Sequence, residues 1–198
     1  MLLDLLLEAP IKTVVDRVAP SNKNEQFTPT WIAHFARAVF GESIELDPTS
    51  STIANEAIQA ERIYTAEDNA LIRSWEAKTL FFNPPYGRGL IKPMIDKFIE
   101  ELPNIDQAIV LVNSTTTTKA YQSLLGSCDR FLLPSARINF WNTETAPIEG
   151  AARRRYQNKP AGGNQYDSTL FYFGDRVEAF EREGLLFGTV ARSIGGAQ

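Results

Sequence analysis

The chain has 198 residues, of which 43% are hydrophobic and 22% charged, and its formal net charge is −4. This is the composition of an ordinary globular protein, and the acidic balance excludes an overall positive field as the basis of nucleic-acid binding. One cysteine and one histidine exclude an internal disulfide, a cysteine cluster and any site that needs two imidazoles, so we predict no metal.

The first 24 residues are predicted to form an arm and a linker, and residues 25–198 a single domain. Acidic residues interrupt the apolar start "MLLDLLLEAP", which also lacks a basic segment. It therefore resembles neither a signal peptide nor a membrane span. We expect a cytoplasmic protein without membrane contact. The polar stretch "APSNKNEQ" (19–26) is predicted to link the arm to the body.

The first predicted helix of the body lies in "FTPTWIAHFARAVFG" (27–41), with Thr28 as a possible cap, Pro29 in the first turn and Gly41 at the stop. Later strands and helices alternate along the chain. Strands are predicted in 43–48, 61–65, 78–82, 107–113, 130–134, 137–141 and 168–174, and helices in 49–60, 92–102, 117–127 and 176–184. This alternation predicts an α/β fold, a mostly parallel sheet with helices on both faces.

Two predicted strands end in unusual polar sequences, "LDPTSS" (46–51) and "FFNPPYG" (81–87). Proline stops both strands, because it cannot donate to a sheet ladder. In parallel sheets, ligands bind outside the carboxyl ends of the strands, so these two ends are the predicted site. The segment 142–166 lacks periodicity and is long for a loop, so we predict a mobile, functional loop.

The residues of "NPPY" suit the methylation of an exocyclic amino group. Such a nitrogen is a poor nucleophile, because its lone pair is delocalised into the ring. The Asn83 side-chain carbonyl and the Pro84 backbone carbonyl can accept its two hydrogens, and Pro85 stiffens the turn, so that these acceptors are fixed before the reaction. Tyr86 offers a ring on which a flipped base can stack. We therefore predict Asn83, Pro84, Pro85 and Tyr86 as the catalytic residues.

The order of several segments resembles a known family. "FTPTWIAHFARAVFG", "ELDPTSSTIAN", "EDNALIRSW", "LFFNPPYG", "ARINFW" and "STLFYFG" occur as in the phage-type DNA N6-adenine methyltransferases, the Dam-like family of phages and prophages. The resemblance covers roughly residues 25–190. It implies a Rossmann-like class I fold, S-adenosylmethionine as cofactor, and adenine N6 in DNA as the methyl acceptor.

The resemblance also implies roles for individual positions. Thr28 and Pro29 match the motif beside the methionine end of the cofactor, and Asp47 and Pro48 match the cofactor motif after the first strand. The glycine-rich turn common in methyltransferases is absent, and "DPTSS" stands in its place, where Ser50, Ser51 or Thr52 could offer hydroxyls. The remaining cofactor positions are Asp68, in a motif that includes Leu71, and Asn83.

The loop 142–166 carries the predicted DNA contacts. It contains a basic cluster, Arg153, Arg154, Arg155 and Lys159, in an otherwise acidic chain, and phosphates are met by such local clusters.

Simpler readings stand beside these assignments. Asp47 and Thr28 could only cap helices, Asp68 could be a solvated acid, and the arginines a solvated run. Other readings of the function are the same chemistry on cytosine N4, an RNA base or protein glutamine, or a catalytically silent DNA-binding module.

Overall fold

The computed structural model describes residues 27–87, 89–140 and 166–194. Its strands are β1 (Ile44–Asp47), β2 (Ala60–Ile63), β3 (Ala77–Phe82), β4 (Ile105–Asn113), β5 (Arg130–Pro134), β6 (Ser168–Phe173) and β7 (Gly188–Ala191). Its α-helices are α1 (Thr30–Phe40), α2 (Thr52–Ile58), α3 (Ile91–Glu101), α4 (Lys119–Ser127) and α5 (Val177–Gly184). Short 3₁₀ turns lie at Ala66–Asp68, Ala70–Ile72 and Leu102–Asn104.

The seven strands of the described residues form one sheet in the order β2-β1-β3-β4-β6-β5-β7. β1 pairs in parallel with β2 and with β3, and β3 pairs in parallel with β4. β6 is antiparallel to both β4 and β5, and β7 is antiparallel to β5. Five strands thus run in one direction, and the predicted mostly parallel Rossmann-like sheet is confirmed.

Helices cover both faces of the sheet, as predicted. α1, α5 and the end of α2 pack on the face that includes Phe81 and Leu111, whereas α3 and α4 pack on the face that includes Phe82 and Val112. No described helix is long and apolar enough to cross a membrane.

Aromatic packing fixes the end of β3, where the predicted motif begins. Phe82 lies between Trp75 and Phe98, with ring centroids 5.0 and 5.7 Å away, and Phe81 is fully buried on the opposite face. Burial of each phenylalanine contributes about 1.5–3 kcal/mol. The backbone that leads into Asn83 is therefore anchored on both faces of the sheet.

Two sequence predictions about local structure are wrong, and one strand was not predicted. Residues 137–140 form no strand, although Ile138 and Phe140 are buried, because β5 already pairs with β6 on one edge and β7 on the other. β7 was not predicted, because its four residues are too few to show a clear alternation of polar and apolar side chains. They also follow an exposed pair of leucines, Leu185 and Leu186. Thr28 does not cap α1: Pro29 occupies the cap position, one residue before the helix. Gly41 ends α1 with φ of 73°, as expected.

Candidate active site

The carboxyl ends of β1 and β3 lie next to each other in the sheet. From β1 the chain continues to β2 on one side, and it then crosses back to β3 on the other side. Such a reversal of strand order opens a crevice at the carboxyl ends of the two strands, and ligands of open α/β sheets bind there. Asp47 is the last residue of β1, and Asn83 follows the last residue of β3. Both predicted strand-end residues therefore lie where the strand order reverses, at the crevice that this topology predicts between β1 and β3.

Asp47 is held inside the loop that follows β1. Its side chain is 4% exposed. Its Oδ1 accepts the Thr49 N–H at 3.1 Å. Ser51, and not Asp47, caps α2 by accepting the Ala54 N–H. The reading of Asp47 as a helix cap is therefore wrong.

Burial raises the pKa of Asp47 to about 7, and the hydrogen bonds from Thr49 and Ser50 oppose this rise only in part. Burial has this effect because it disfavours the charged form of a carboxyl group. Among the described residues, no lysine or arginine forms an ion pair with Asp47. A cation from a ligand would supply the compensating charge.

Thr49 joins the two loops of the crevice. Its hydroxyl donates to the backbone carbonyl of Asn83 at 2.9 Å. The loop after β1 is also tied to the residue after β2, because the Tyr64 N–H donates to the Asp47 carbonyl and the Ser50 N–H to the Tyr64 carbonyl. Sequence reasoning chose Ser50, Ser51 and Thr52 from the hydroxyl-rich "PTSST" and missed Thr49, since composition alone cannot tell which hydroxyl points across the crevice.

Two neighbours fix the side-chain amide of Asn83. Its Nδ2 donates to the Thr28 hydroxyl oxygen at 3.0 Å, across 55 residues of chain. The Tyr86 hydroxyl lies 3.3 Å from Asn83 Oδ1 and 3.2 Å from the carbonyl oxygen of Leu111. A phenol has one hydrogen to donate, so these two acceptors share it. Thr28 and Tyr86 thereby orient the amide with its oxygen and nitrogen in defined positions.

The rest of the predicted motif has a clear division between buried and exposed parts. Pro84 is buried, Pro85 is exposed and Tyr86 is half-buried. Burial raises the pKa of the Tyr86 phenol far above its ordinary value, so Tyr86 remains neutral at physiological pH. The motif supplies hydrogen-bond acceptors and an aromatic ring, and none of these groups is a general base.

Asp68 has a local role in the structure. Its Oδ2 accepts both the N–H and the hydroxyl of Thr65, at 2.9 and 3.0 Å, which closes a capping box around the turn Ala66–Asp68. Arg73 lies 3.6 Å from its other oxygen. The Thr65 hydrogen bonds lower the pKa of Asp68. Leu71 packs partly buried against the core. Contact between Asp68 and a cofactor therefore stays a prediction.

A cavity of about 470 Å³ lies between α3 and α4, with Tyr86 in its wall. It belongs to the sheet face of Phe82, whereas Asn83 Nδ2 reaches Thr28 on the α1 side. In the described part of the chain, no cluster of three or more His, Cys, Asp or Glu side chains could hold a metal ion. The basic residues Arg153, Arg154, Arg155 and Lys159 lie outside the described residues.

Comparisons with known proteins agree on one family. The family model described as DNA N-6-adenine-methyltransferase (Dam) matches residues 17–160. A curated relative from Haemophilus phage HP1, named DNA N-6-adenine-methyltransferase, is 28% identical over 127 residues, which cover 63% of this chain and 70% of the relative. Residues 17–160, which the family model matches, contain β1, β3 and the crevice between them.

Proposed function

The chain belongs to the DNA N-6-adenine-methyltransferase (Dam) family, and from this premise we propose how its residues divide the work of the reaction. The reaction is the transfer of a methyl group to the N6 amino group of adenine in DNA. Our proposal is that the crevice between β1 and β3 holds S-adenosylmethionine and that Asn83 receives the amino group. The observation that carries it is the Asn83 amide, oriented at this crevice by Thr28 and Tyr86.

Asn83 acts on the target amine through its side-chain oxygen. An amide oxygen has two lone pairs, so the contact with Tyr86 leaves one free to accept a hydrogen from N6. The backbone carbonyl of Pro84 accepts the second hydrogen, and Pro85 limits the motion of that carbonyl. Acceptors that are fixed before the reaction need no reorganisation in the transition state. No general base is required, because the proton of the methylated nitrogen can leave to water.

Tyr86 has two parts with different roles. Its hydroxyl positions the Asn83 amide, and its ring lines the cavity between α3 and α4. A base extruded from the duplex can stack on such a ring. We therefore assign the ring to the flipped adenine and the hydroxyl to the positioning of Asn83.

The residues of the crevice fit the proposed cofactor. When bound, S-adenosylmethionine supplies a methyl group on a positively charged sulfur, together with an ammonium group and ribose hydroxyls. The buried carboxyl group of Asp47, without an ion pair among the described residues, suits such a cation. The proposed contacts are the residues that line or border the crevice and the nearby turn: Thr28, Pro29, Asp47, Pro48, Ser50, Asp68 and Asn83.

We propose that residues 25–198 form one catalytic domain. Within it, the loop 142–166 is our proposed DNA contact, and it would bind phosphates through Arg153, Arg154, Arg155 and Lys159. The basic composition of the loop and its place before β6 support this. Replacing the three arginines with alanine should weaken DNA binding, flatten its salt dependence and leave cofactor affinity unchanged. Unchanged affinity and slope would exclude the loop as the contact surface.

Methyl transfer assayed in parallel on three acceptors tests the proposed function. Labelled methyl groups from S-adenosylmethionine should enter unmethylated DNA, and they should not enter RNA or protein. Transfer to RNA or to protein glutamine in place of DNA would overturn the proposed substrate, and the absence of any transfer would favour a silent DNA-binding module.

A further inference from the structure

The cavity between α3 and α4 has a form that suits a nucleotide. Its walls are mostly apolar and aromatic, and include Ile95, Val112, Leu124, Tyr86 and Tyr121. The Tyr121 hydroxyl hydrogen-bonds Thr169 at 2.9 Å, so this wall is fixed. Small-molecule sites usually have volumes of about 300–1,000 Å³, mostly apolar linings and a few polar groups. The volume of about 470 Å³ falls within this range.

Tyr86 connects this cavity to the proposed catalytic residue. Its ring forms part of the cavity wall, and its hydroxyl lies 3.3 Å from Asn83 Oδ1. The side chain of Tyr86 therefore contacts both the cavity and the Asn83 amide, which is proposed to receive the target amine. A nucleotide that stacks on Tyr86 from the cavity side must bring its sugar and phosphates to the rim.

Two lysines line the cavity, and their electrostatic situations differ. Lys92, on α3, forms an ion pair with Asp96 one turn further along the helix. Lys119, the first residue of α4, is exposed and has no acidic partner among the described residues. Thr118, beside it, uses its hydroxyl to cap α4. Of the two lysines that line this cavity, Lys119 is therefore the one that forms no ion pair with a described residue.

We propose that Lys119 binds a phosphate of the target DNA strand beside the flipped nucleotide, so that this strand passes over the start of α4. The proposal rests on the proposed function, because that function places the target base at Tyr86. It adds a second DNA-contacting surface, on the α3–α4 side of the sheet. Lys119 is a substrate-binding residue that positions the strand, and it takes no part in methyl transfer.

Equilibrium binding to a duplex that the wild type methylates at one adenine tests this contact without turnover. K119A should weaken binding by about three- to tenfold and lower the slope of log affinity against log salt by about 0.9, the value for one lost phosphate contact. K119R should bind almost like the wild type. The matched control is K78A, since Lys78 is an exposed lysine near the amino end of β3, away from the cavity; it should leave affinity and slope unchanged.

A double-mutant cycle with the DNA locates the phosphate. Duplexes with a single uncharged methylphosphonate, placed in turn at each phosphate around the target adenine, are bound by the wild type and by K119A. At one position, within about two nucleotides of the target, the methylphosphonate should weaken binding by the wild type and have little further effect on binding by K119A. Additive losses at every position, an unchanged salt slope, or an equal loss with K78A would each overturn the proposal. The failure of Asn83 variants to lose activity would instead count against the proposed function.

Discussion

Replacing Asn83 with alanine is expected to lower kcat by about 10²–10³, the typical cost of one lost preorganised contact in the transition state. The Asn83 amide oxygen is a side-chain acceptor whose position is fixed, because Thr28 holds the amide nitrogen and Tyr86 contacts the oxygen. Affinity for S-adenosylmethionine should remain close to that of the wild type, because the cofactor is proposed to be held mainly by the loop after β1. Steady-state kinetics with DNA and calorimetry with the cofactor measure the two effects separately.

The matched control is Asn104→Ala at the other end of the sheet. Asn104 is exposed just before β4 and donates to Glu101, so its loss should leave kcat unchanged.

The Asn83 variant should also unfold slightly more easily, by about 1 kcal/mol, because the hydrogen bond to Thr28 is lost. Near-normal turnover by Asn83→Ala would remove Asn83 from the mechanism.

Replacing Asp47 with asparagine should change stability and cofactor binding in opposite directions. The folded protein raises the pKa of Asp47 from 3.8 to about 7, so the folded state binds a proton more tightly than the unfolded state. The contribution of Asp47 to the stability of the wild type therefore falls as pH rises from about 4 to about 7, by up to about 4 kcal/mol. Asparagine stays neutral, so Asp47→Asn should melt at a higher temperature than the wild type at pH 8 and at a similar temperature near pH 4.

The same change should weaken binding of S-adenosylmethionine at pH 8 by at least about thirtyfold, because a buried charged partner of the ligand is lost. For the wild type, cofactor affinity should fall as pH drops below about 7, by up to about tenfold per pH unit, since binding must first remove the proton from Asp47. Thermal melts and calorimetry across pH measure both effects. Asp106→Asn, at an exposed position near the start of β4, should alter neither. Unchanged cofactor affinity in Asp47→Asn would place the cation of the cofactor elsewhere.

The sequence was informative where local chemistry decides structure. Apolar runs that stop at Pro48 and Pro84 identified the ends of β1 and β3, because proline ends a strand whatever its tertiary context. Alternation of strands and helices then identified the parallel part of the sheet and the edge where ligands bind. Asp47 and Asn83 were consequently predicted at one site, and the structure places both at the same crevice.

Contacts between distant segments were beyond the sequence. The hydrogen bond between Thr28 and Asn83 joins residues that are 55 positions apart in the chain. It depends on how α1 packs on the sheet, and sequence periodicity does not specify that packing. The choice of Thr49 among four neighbouring hydroxyl residues depends on loop geometry. No role was predicted for Lys119 in "STTTTK", because its position at the cavity follows from the packing of α3 against α4. The partnership of β7 with β5 is another such long-range pairing.

The identity of the modified nucleoside tests the central claim most directly. Duplex DNA from a methylation-free host is incubated with the protein and S-adenosylmethionine, digested to nucleosides and analysed by mass spectrometry, with the Asn83→Ala protein in parallel. The account predicts N6-methyl-2′-deoxyadenosine with the wild type, and about 10²–10³ times more slowly with the variant. N4-methyl-2′-deoxycytidine, or the same rate of adenine methylation by both proteins, would contradict it.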